Sequence, residues 1–387
     1  MPYLLNFILV ITYYFIITQI APNKYKAKKK FVTLVCIHAV LFRALANPYN
    51  YVDTEVYAEA FCQISSWSFA DVLNPLNFYA EWGQGYVILN WLLSKISTEP
   101  QFLFASLSVL SIVPVMWFYF KTSHSILFTI VIYLLYPMFY YMGFGVLRQH
   151  LATGFVLLAL YYVDKLKYSI PLALLALSFH ISVVVFFPFY LWKRLNLNGR
   201  NISKSLFMVV VVCVVIRYLF ENIMMSFTRY SHYLDSSSSE NNIVPVFFLG
   251  SVVLMLWINN VYQHISERNE SNIAGIILYG FAVSLIGIGM PGMGRTSLYF
   301  LYVFPSAITL LDKYSSNVML IEIYKMGILC FVILLLLMSY DSHPYAYSFF
   351  WEIFMKFASP LFTNGIFCGR MVIVKYQEMT PNYYMIS

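Results

Sequence analysis

Residues 101–120 read QFLFASLSVLSIVPVMWFYF, twenty positions without a charged side chain. About 20 apolar residues are what a helix needs to cross the hydrocarbon core of a bilayer. Runs of the same kind recur along the chain, at 3–20, 31–45, 124–141, 146–163, 205–223, 244–262, 273–290, 296–311 and 318–338. Two stretches are ambiguous. Residues 84–97 are short and carry Lys95, and 168–192 is one apolar run interrupted by Pro171, His180 and Pro188.

The composition agrees. Of 387 residues, 60% are apolar, 19% aromatic and 11% charged, with mean hydropathy +0.71. Soluble domains carry roughly 25% charged residues, so these charges are too few to cover a globular surface in water. A disordered chain, a nucleic-acid binder and a soluble enzyme are excluded. So is an outer-membrane barrel, whose strands alternate over about 10 residues rather than running apolar without interruption. The expected fold is an all-α, polytopic membrane helix bundle of about 10–13 transmembrane segments, with re-entrant or interfacial helices on its outer face. It forms one domain over 1–351, with outer loops near 46–85 and 224–243, and a C-terminal tail over 352–387 with no assigned role. Residues 3–20 lack a basic leader and a small-residue cleavage site, so they are expected to stay as a membrane helix. Cys36, Cys62, Cys213, Cys330 and Cys368 show no CxxC or metal spacing.

Basic residues set orientation, because cytoplasmic turns hold an excess of Lys and Arg. The cluster Lys24, Lys26, Lys28, Lys29 and Lys30 follows the first apolar run and is assigned inside, which puts the N-terminus outside. Residues 46–85 are then outside, and 84–97 is read as an interfacial or re-entrant segment. If 168–192 enters and returns as a hairpin, 14 of the 24 basic residues fall in cytoplasmic turns. A single crossing would turn four of them outward. Asp53, Glu55, Glu59, Asp71, Glu81, Glu99, Asp235, Glu240 and Asp341 all fall outside.

Ionisable side chains beside a membrane are costly and call for a reason. Asp53 and Glu81 in the first outer loop can serve as general base or hold a divalent cation, or simply solvate the loop. Arg148 opens a helix, where free N–H groups and the dipole also favour anions. Its planar fork of donors suits phosphate, and the alternative is snorkelling to lipid headgroups. His180 stands mid-run in an apolar stretch, as a base for a hydroxyl or as a hydrogen-bonded core residue. Residues 287–295, GIGMPGMGR, formally contain GxGxxG, but no strand precedes them, so the dinucleotide reading fails. A glycine-rich turn followed by Arg295 suits phosphate or pyrophosphate, or is a tight turn with an interfacial arginine. The outer loop 224–243 adds Arg229 among tyrosines. No P-loop, HExxH, GxSxG or EF-hand pattern occurs, which argues against a nucleotide-driven pump and a zinc protease.

In order, the chain carries Asp53, then Glu81 with Gly85-Tyr86, and Leu147-Arg148-Gln149-His150-Leu151-Ala152. Ser178-Phe179-His180-Ile181-Ser182 follows, then Gly294-Arg295 with Tyr299-Phe300, and Pro344-Tyr345-Ala346-Tyr347. This series resembles the EpsG family of Wzy-like membrane polymerases of O-antigen, capsule and exopolysaccharide. The resemblance covers roughly residues 30–350. It implies a GT-C-like bundle in the bacterial cytoplasmic (inner) membrane, with its active site facing outward. The implied substrate is an oligosaccharide on undecaprenyl pyrophosphate, with membrane lipids around it. The reaction needs no cofactor and no nucleic acid; a cation at the carboxylates and a chain-length regulator stay open. The expected roles are Arg148, Arg295 and Arg229 for pyrophosphate, His180 as base, and Asp53 and Glu81 orienting the acceptor or substituting as base.

Rivals remain, among them an outer-leaflet acyltransferase, for which nothing in the sequence identifies an acyl donor. A GT-C-type glycosyltransferase using a polyprenyl-phosphate sugar would exploit Asp53-Thr54-Glu55, and a ligase would use a different acceptor. A flippase or other transporter usually shows paired repeats and charges at mid-membrane. No repeat is evident here, and the charges gather at one face.

Overall fold

The computed structural model describes residues 2–47, 53–74, 79, 82–195, 204, 207–209, 211, 218, 243–288 and 294–339. Among them there are helices and no strands. The first ten helices are α1 (Pro2–Ile20), α2 (Lys24–Ala44), α3 (Thr54–Ser65), α4 (Phe69–Leu73), α5 (Gln84–Ser94), α6 (Pro100–Thr122), α7 (Ile126–Leu135), α8 (Leu147–Tyr161), α9 (Leu166–Phe179) and α10 (Pro188–Arg194). The later ones are α11 (Ile243–Ile258), α12 (Val261–His264), α13 (Arg268–Ile286), α14 (Gly294–Leu301), α15 (Phe304–Ile308), α16 (Leu311–Tyr314) and α17 (Val318–Ser339).

Three described helices are long and apolar enough to cross a membrane, at Pro100–Thr122, Arg268–Ile286 and Val318–Met338; Asn6–Ile20, Ile126–Leu135, Leu166–Phe179 and Ile243–Ile258 are shorter apolar helices. The outward side of α17 shows why water is the wrong solvent. Val318, Met319, Ile323, Met326, Leu334, Leu337 and Met338 are all exposed along it. A face of that kind belongs against lipid tails.

Helices α2, α6, α8 and α9 pack side by side in that order. Small side chains are buried along them, among them Ser108, Ser111, Ala152, Ala159, Ala173 and Ala176. Small residues let membrane helices approach closely, where apolar burial gives no net drive between them. Helices α11, α13 and α14 form the other half, and α14 touches α8.

Several sequence expectations shift in detail. The lysine cluster Lys24–Lys30 is not a connecting loop: it forms the first two turns of α2, with the Asn23 side chain capping the Lys26 N–H at 2.8 Å. The run 124–141 is helical only to Leu135, because Tyr136 precedes Pro137 and is held extended. The run 296–311 is broken into α14, α15 and α16. Pro305 supplies no N–H to continue α14 and starts α15 instead. The hairpin over 168–192 is present. Lys193 pairs with Asp164, and the Ser169 and Tyr190 hydroxyls meet at 2.6 Å, so the chain returns to the end it left. Helix α5 has 11 residues, about 16 Å at 1.5 Å per residue, half the thickness of a bilayer core.

Between α2 and α6 the expected outer loop folds into a helical cap. Ala60, Ile64, Val72, Tyr79 and Val87 make a small core of their own, with Trp67, Trp82, Ile88 and Trp91 packed on it. Ser68 and Asp71 close a reciprocal capping box at the start of α4.

Candidate functional site

Helices α8 and α9 run in opposite directions and fix the two ends of the bundle. One end holds the turn around Asp164; the other holds Arg148 at the start of α8 and His180 just after α9. The cap sits at the second end. Gly83 has φ +94°, a left-handed conformation that disfavours a side chain. A Cβ there would lie 2.5 Å from the Ser178 carbonyl oxygen, and one on Gly85 would lie 2.0 Å from Ser178 Oγ. These two glycines let the start of α5 lie directly on the last turn of α9. Two motifs nearly a hundred residues apart are thereby joined.

Arg148 is held at that junction. Its Nη1 donates to the Trp82 carbonyl at 2.9 Å and its Nε to the Tyr57 hydroxyl at 3.3 Å. The guanidinium also lies over the rings of Trp82 at 5.2 Å and Tyr57 at 5.9 Å, where ring faces attract a cation. Among the described residues it has no carboxylate partner. The side chain is half-buried. Among the described residues, the groups that position the guanidinium are therefore neutral.

His180 interrupts the helix as an extended residue, φ −153° and ψ 121°, between α9 and the short 3-10 helix Ile181–Phe186. Its Nδ1 caps that helix, accepting from the Ser182 N–H at 3.4 Å, and lies 2.6 Å from Ser182 Oγ. Ser182 Oγ in turn lies 2.7 Å from the hydroxyl of Tyr299, which is fully buried on α14. Helix α14, which carries Tyr299, packs against α8, which begins at Arg148. Four segments therefore meet at this end: the cap, the start of α8, the break after α9, and α14.

The sequence-predicted residues fare unequally. Arg148 and His180 are brought together through the cap and Tyr299. Asp53 is exposed at the start of α3, with φ 64°, one turn before Tyr57. Arg295 begins α14, one turn before Tyr299; its side chain, like Glu81 and Arg229, lies outside the described residues. Glu59, on the same helix as Asp53 and Tyr57, has its carboxyl pushed up by burial and by neighbouring Glu55. Among the described residues no group of three or more His, Cys, Asp or Glu side chains forms a metal site.

Sequence reasoning left out Ser182, Tyr299 and Tyr57 as participants. Tyr299 was legible as the position four residues after Arg295, on the same helical face. It also left out a neighbouring buried group. Arg43 donates to Ser111 Oγ at 3.0 Å, and the Tyr302 hydroxyl lies 2.7 Å from His150 Nδ1. Gly143 fits between Arg43 and His150, where a Cβ would stand 2.9 Å from Arg43 Nη1 and 3.0 Å from His150 Nδ1. Nothing in the apolar run 31–45 distinguishes Arg43 from an interfacial arginine.

With this geometry in hand, the comparison with known families is decisive. Residues 31–355 match the EpsG family. The chain belongs to that family. No curated protein and no solved structure matches it. Membership, together with the apolar helices, makes this EpsG-family chain a membrane protein and points to polymerase-type glycosyl transfer in polysaccharide biosynthesis. The matched region contains every described site residue, from Arg43 and Asp53 to Tyr299.

Proposed function

We propose that this chain joins oligosaccharide repeat units carried on undecaprenyl pyrophosphate, at the outer face of the bacterial cytoplasmic membrane. A hydroxyl of one lipid-linked unit attacks the anomeric carbon of the chain held by another. The bond from that carbon to the pyrophosphate oxygen breaks, and the carrier leaves as the pyrophosphate. The hydroxyl proton goes to a base, for which His180 is the first candidate, with Asp53 and Glu81 orienting the acceptor or substituting as base. Arg148 neutralises charge on the departing pyrophosphate, a contribution that grows as the transition state forms. Arg295 and Arg229 add positive charge to the same carrier. The product is longer by one repeat, and no nucleotide takes part.

The observation that supports this reading is the state of Arg148. A half-buried guanidinium is held by a carbonyl, a phenol and two rings, with no carboxylate among the described residues, at the same end as a His–Ser–Tyr cluster. Such a cation is preorganised for an anion that arrives and leaves.

The test is deletion of the gene in its host, with surface polysaccharide run on a gel. Loss of the ladder with a single-repeat product retained is the expected result. Loss of the single repeat as well would indicate a flippase or an earlier transferase. An unchanged ladder would overturn the proposal. Inactivation of the purified protein by a chelator, rescued by a divalent cation, would favour a metal-dependent GT-C-type transferase through Asp53.

A further inference from the structure

Lys24, Lys26, Lys28, Lys29 and Lys30 all fall in the first two turns of α2, at the end of the bundle opposite the cap. The helix itself gives no reason for them, since the positive end of its dipole disfavours cations there. Acid is absent from the neighbouring sequence. The first 52 residues contain no Asp or Glu, and neither does 100–163, which carries α6, α7 and α8.

Two of the cations at this end gather at one ring. Helix α6 packs against α2 and ends at Thr122. Lys28 Nζ lies 5.5 Å from the centre of the Phe120 ring, and Lys121 Nζ lies 5.6 Å from it. Lys28 donates to the Ser123 carbonyl at 2.5 Å, which uses one of its three N–H bonds. Lys121 also lies 5.8 Å from the centre of the Trp117 ring. Among the described residues neither lysine has a carboxylate partner. The C-terminal end of α6 is worth about half a negative charge, which offsets only part of two full positive ones.

The surface that continues from this pair is apolar. Val109, Val113, Trp117 and Lys121 follow at four-residue spacing and form one row along α6. Val109 is 46% exposed and Val113 43%. The row therefore reads cation, interfacial aromatic, then bare aliphatic side chains. That is the order of a phospholipid: phosphate, glycerol region, acyl chain. A free phosphate would use only the first of the three.

We infer that the seam between α2 and α6 binds an anionic glycerophospholipid of the leaflet at that end, with its phosphate between Lys28 and Lys121 and an acyl chain along Val113 and Val109. Basic sites between membrane helices hold anionic headgroups in this way. The site lies at the opposite end from Arg148 and does not rest on the polymerase reading.

The full-length protein in detergent is titrated with dioleoyl phosphatidylglycerol, and bound lipid is read by native mass spectrometry. Dioleoyl phosphatidylcholine has the same chains and no net charge; inorganic phosphate has the charge and no chains. Phosphatidylglycerol is expected to bind about 25-fold more tightly than phosphatidylcholine, roughly fivefold for each of the two ammoniums. Millimolar phosphate is expected not to displace it. Equal affinity for the two lipids would overturn the proposal, and so would displacement by phosphate. These outcomes decide without any variant. Lys28→Gln with Lys121→Gln is expected to bring phosphatidylglycerol down to the phosphatidylcholine level, while Lys28→Arg with Lys121→Arg keeps the preference. Lys26→Gln with Lys30→Gln removes the same charge from exposed positions on the opposite face of α2. At about 0.15 M salt, which screens distant exposed charges, that pair is expected to cost less than about fivefold. Equal losses in the two glutamine pairs would make the attraction diffuse and overturn the seam as its site.

Discussion

Two clusters at opposite ends of this bundle hold charge in different ways. Around Asp164 and Glu270, Lys193, Arg268 and Lys313 each have a carboxylate. Lys193 and Arg268 share Asp164, the latter at 2.7 Å, and Asn272 adds a hydrogen bond at 2.7 Å. Lys313 contacts Glu267 at 2.5 Å and Glu270 at 2.9 Å, and His124 contacts Glu270 at 2.7 Å. At the other end, Arg148 meets a carbonyl, a phenol and aromatic faces. A cation already neutralised has little to offer a substrate, and its partner would have to be displaced first. The difference separates a network that ties α8, α10 and α13 together from a cation that, among the described residues, only neutral groups hold.

If that contrast is right, substitutions at the two ends fail in different ways. The largest effect is expected for Arg148→Ala, a loss of about 10²–10³-fold in polymer formation with an unchanged melting temperature. Arg148→Lys should recover little, since a compact ammonium lacks the planar fork whose separate nitrogens reach Trp82, Tyr57 and a phosphate. Gly83→Ala comes next. The added Cβ meets the Ser178 carbonyl and pushes the cap off α9. A shift of about 1 Å in a positioning element costs roughly a hundredfold in rate, read on the same gel and kinetics.

Asp164→Ala should do the reverse. Turnover per folded molecule stays near wild type, while stability falls by about 2 kcal/mol as a half-buried cation loses its acceptor. Thermal unfolding in lipid discs measures it. Burial raises the Asp164 carboxyl, but hydrogen bonds from Lys193, Asn272 and Arg268 outweigh it and hold the group below its ordinary range. A depressed carboxylate stabilises the fold above its unfolded value near 4. That contribution is lost as pH falls through the lower folded value, so the wild-type midpoint should drop there and the variant's should not. The smallest effect is expected for Glu322→Gln. Its carboxylate contacts Lys325 at 3.1 Å but is largely exposed, and such pairs contribute within about 0.5 kcal/mol. A larger loss would mean that surface pairs matter at this end too.

Much of the helix inventory was legible because bilayer thickness imposes a length on every crossing. Residues 101–120 and 318–338 could hardly be anything else. Breaks were legible in kind but not in place. Pro305 and Pro137 were visible, yet a proline inside an apolar run marks either a kink or a stop, and neighbouring helices decide which. Of the cap, the short helix within 84–97 was legible, but the folding of 46–85 into helices with a core of their own was not. Its segments are short, and the signal that joins them lies in Trp67, Tyr79, Trp82 and Trp91 packing on one another. No periodicity in 46–85 reports that.

The sequence by itself determined the membrane, the helical class and the polar residues that stand out against an apolar background, Arg148 and His180 among them. Each is a local property: the cost of an ionisable group in lipid depends on the residue and the run around it. Only the tertiary structure decided which of these residues meet, because Gly83 and Gly85 admit α9 to the cap and α14 brings Tyr299 to Ser182. It also decided what surrounds His180: the Tyr299 hydroxyl that reaches Ser182 comes from more than a hundred residues away, a partner that no local reading brings to the ring.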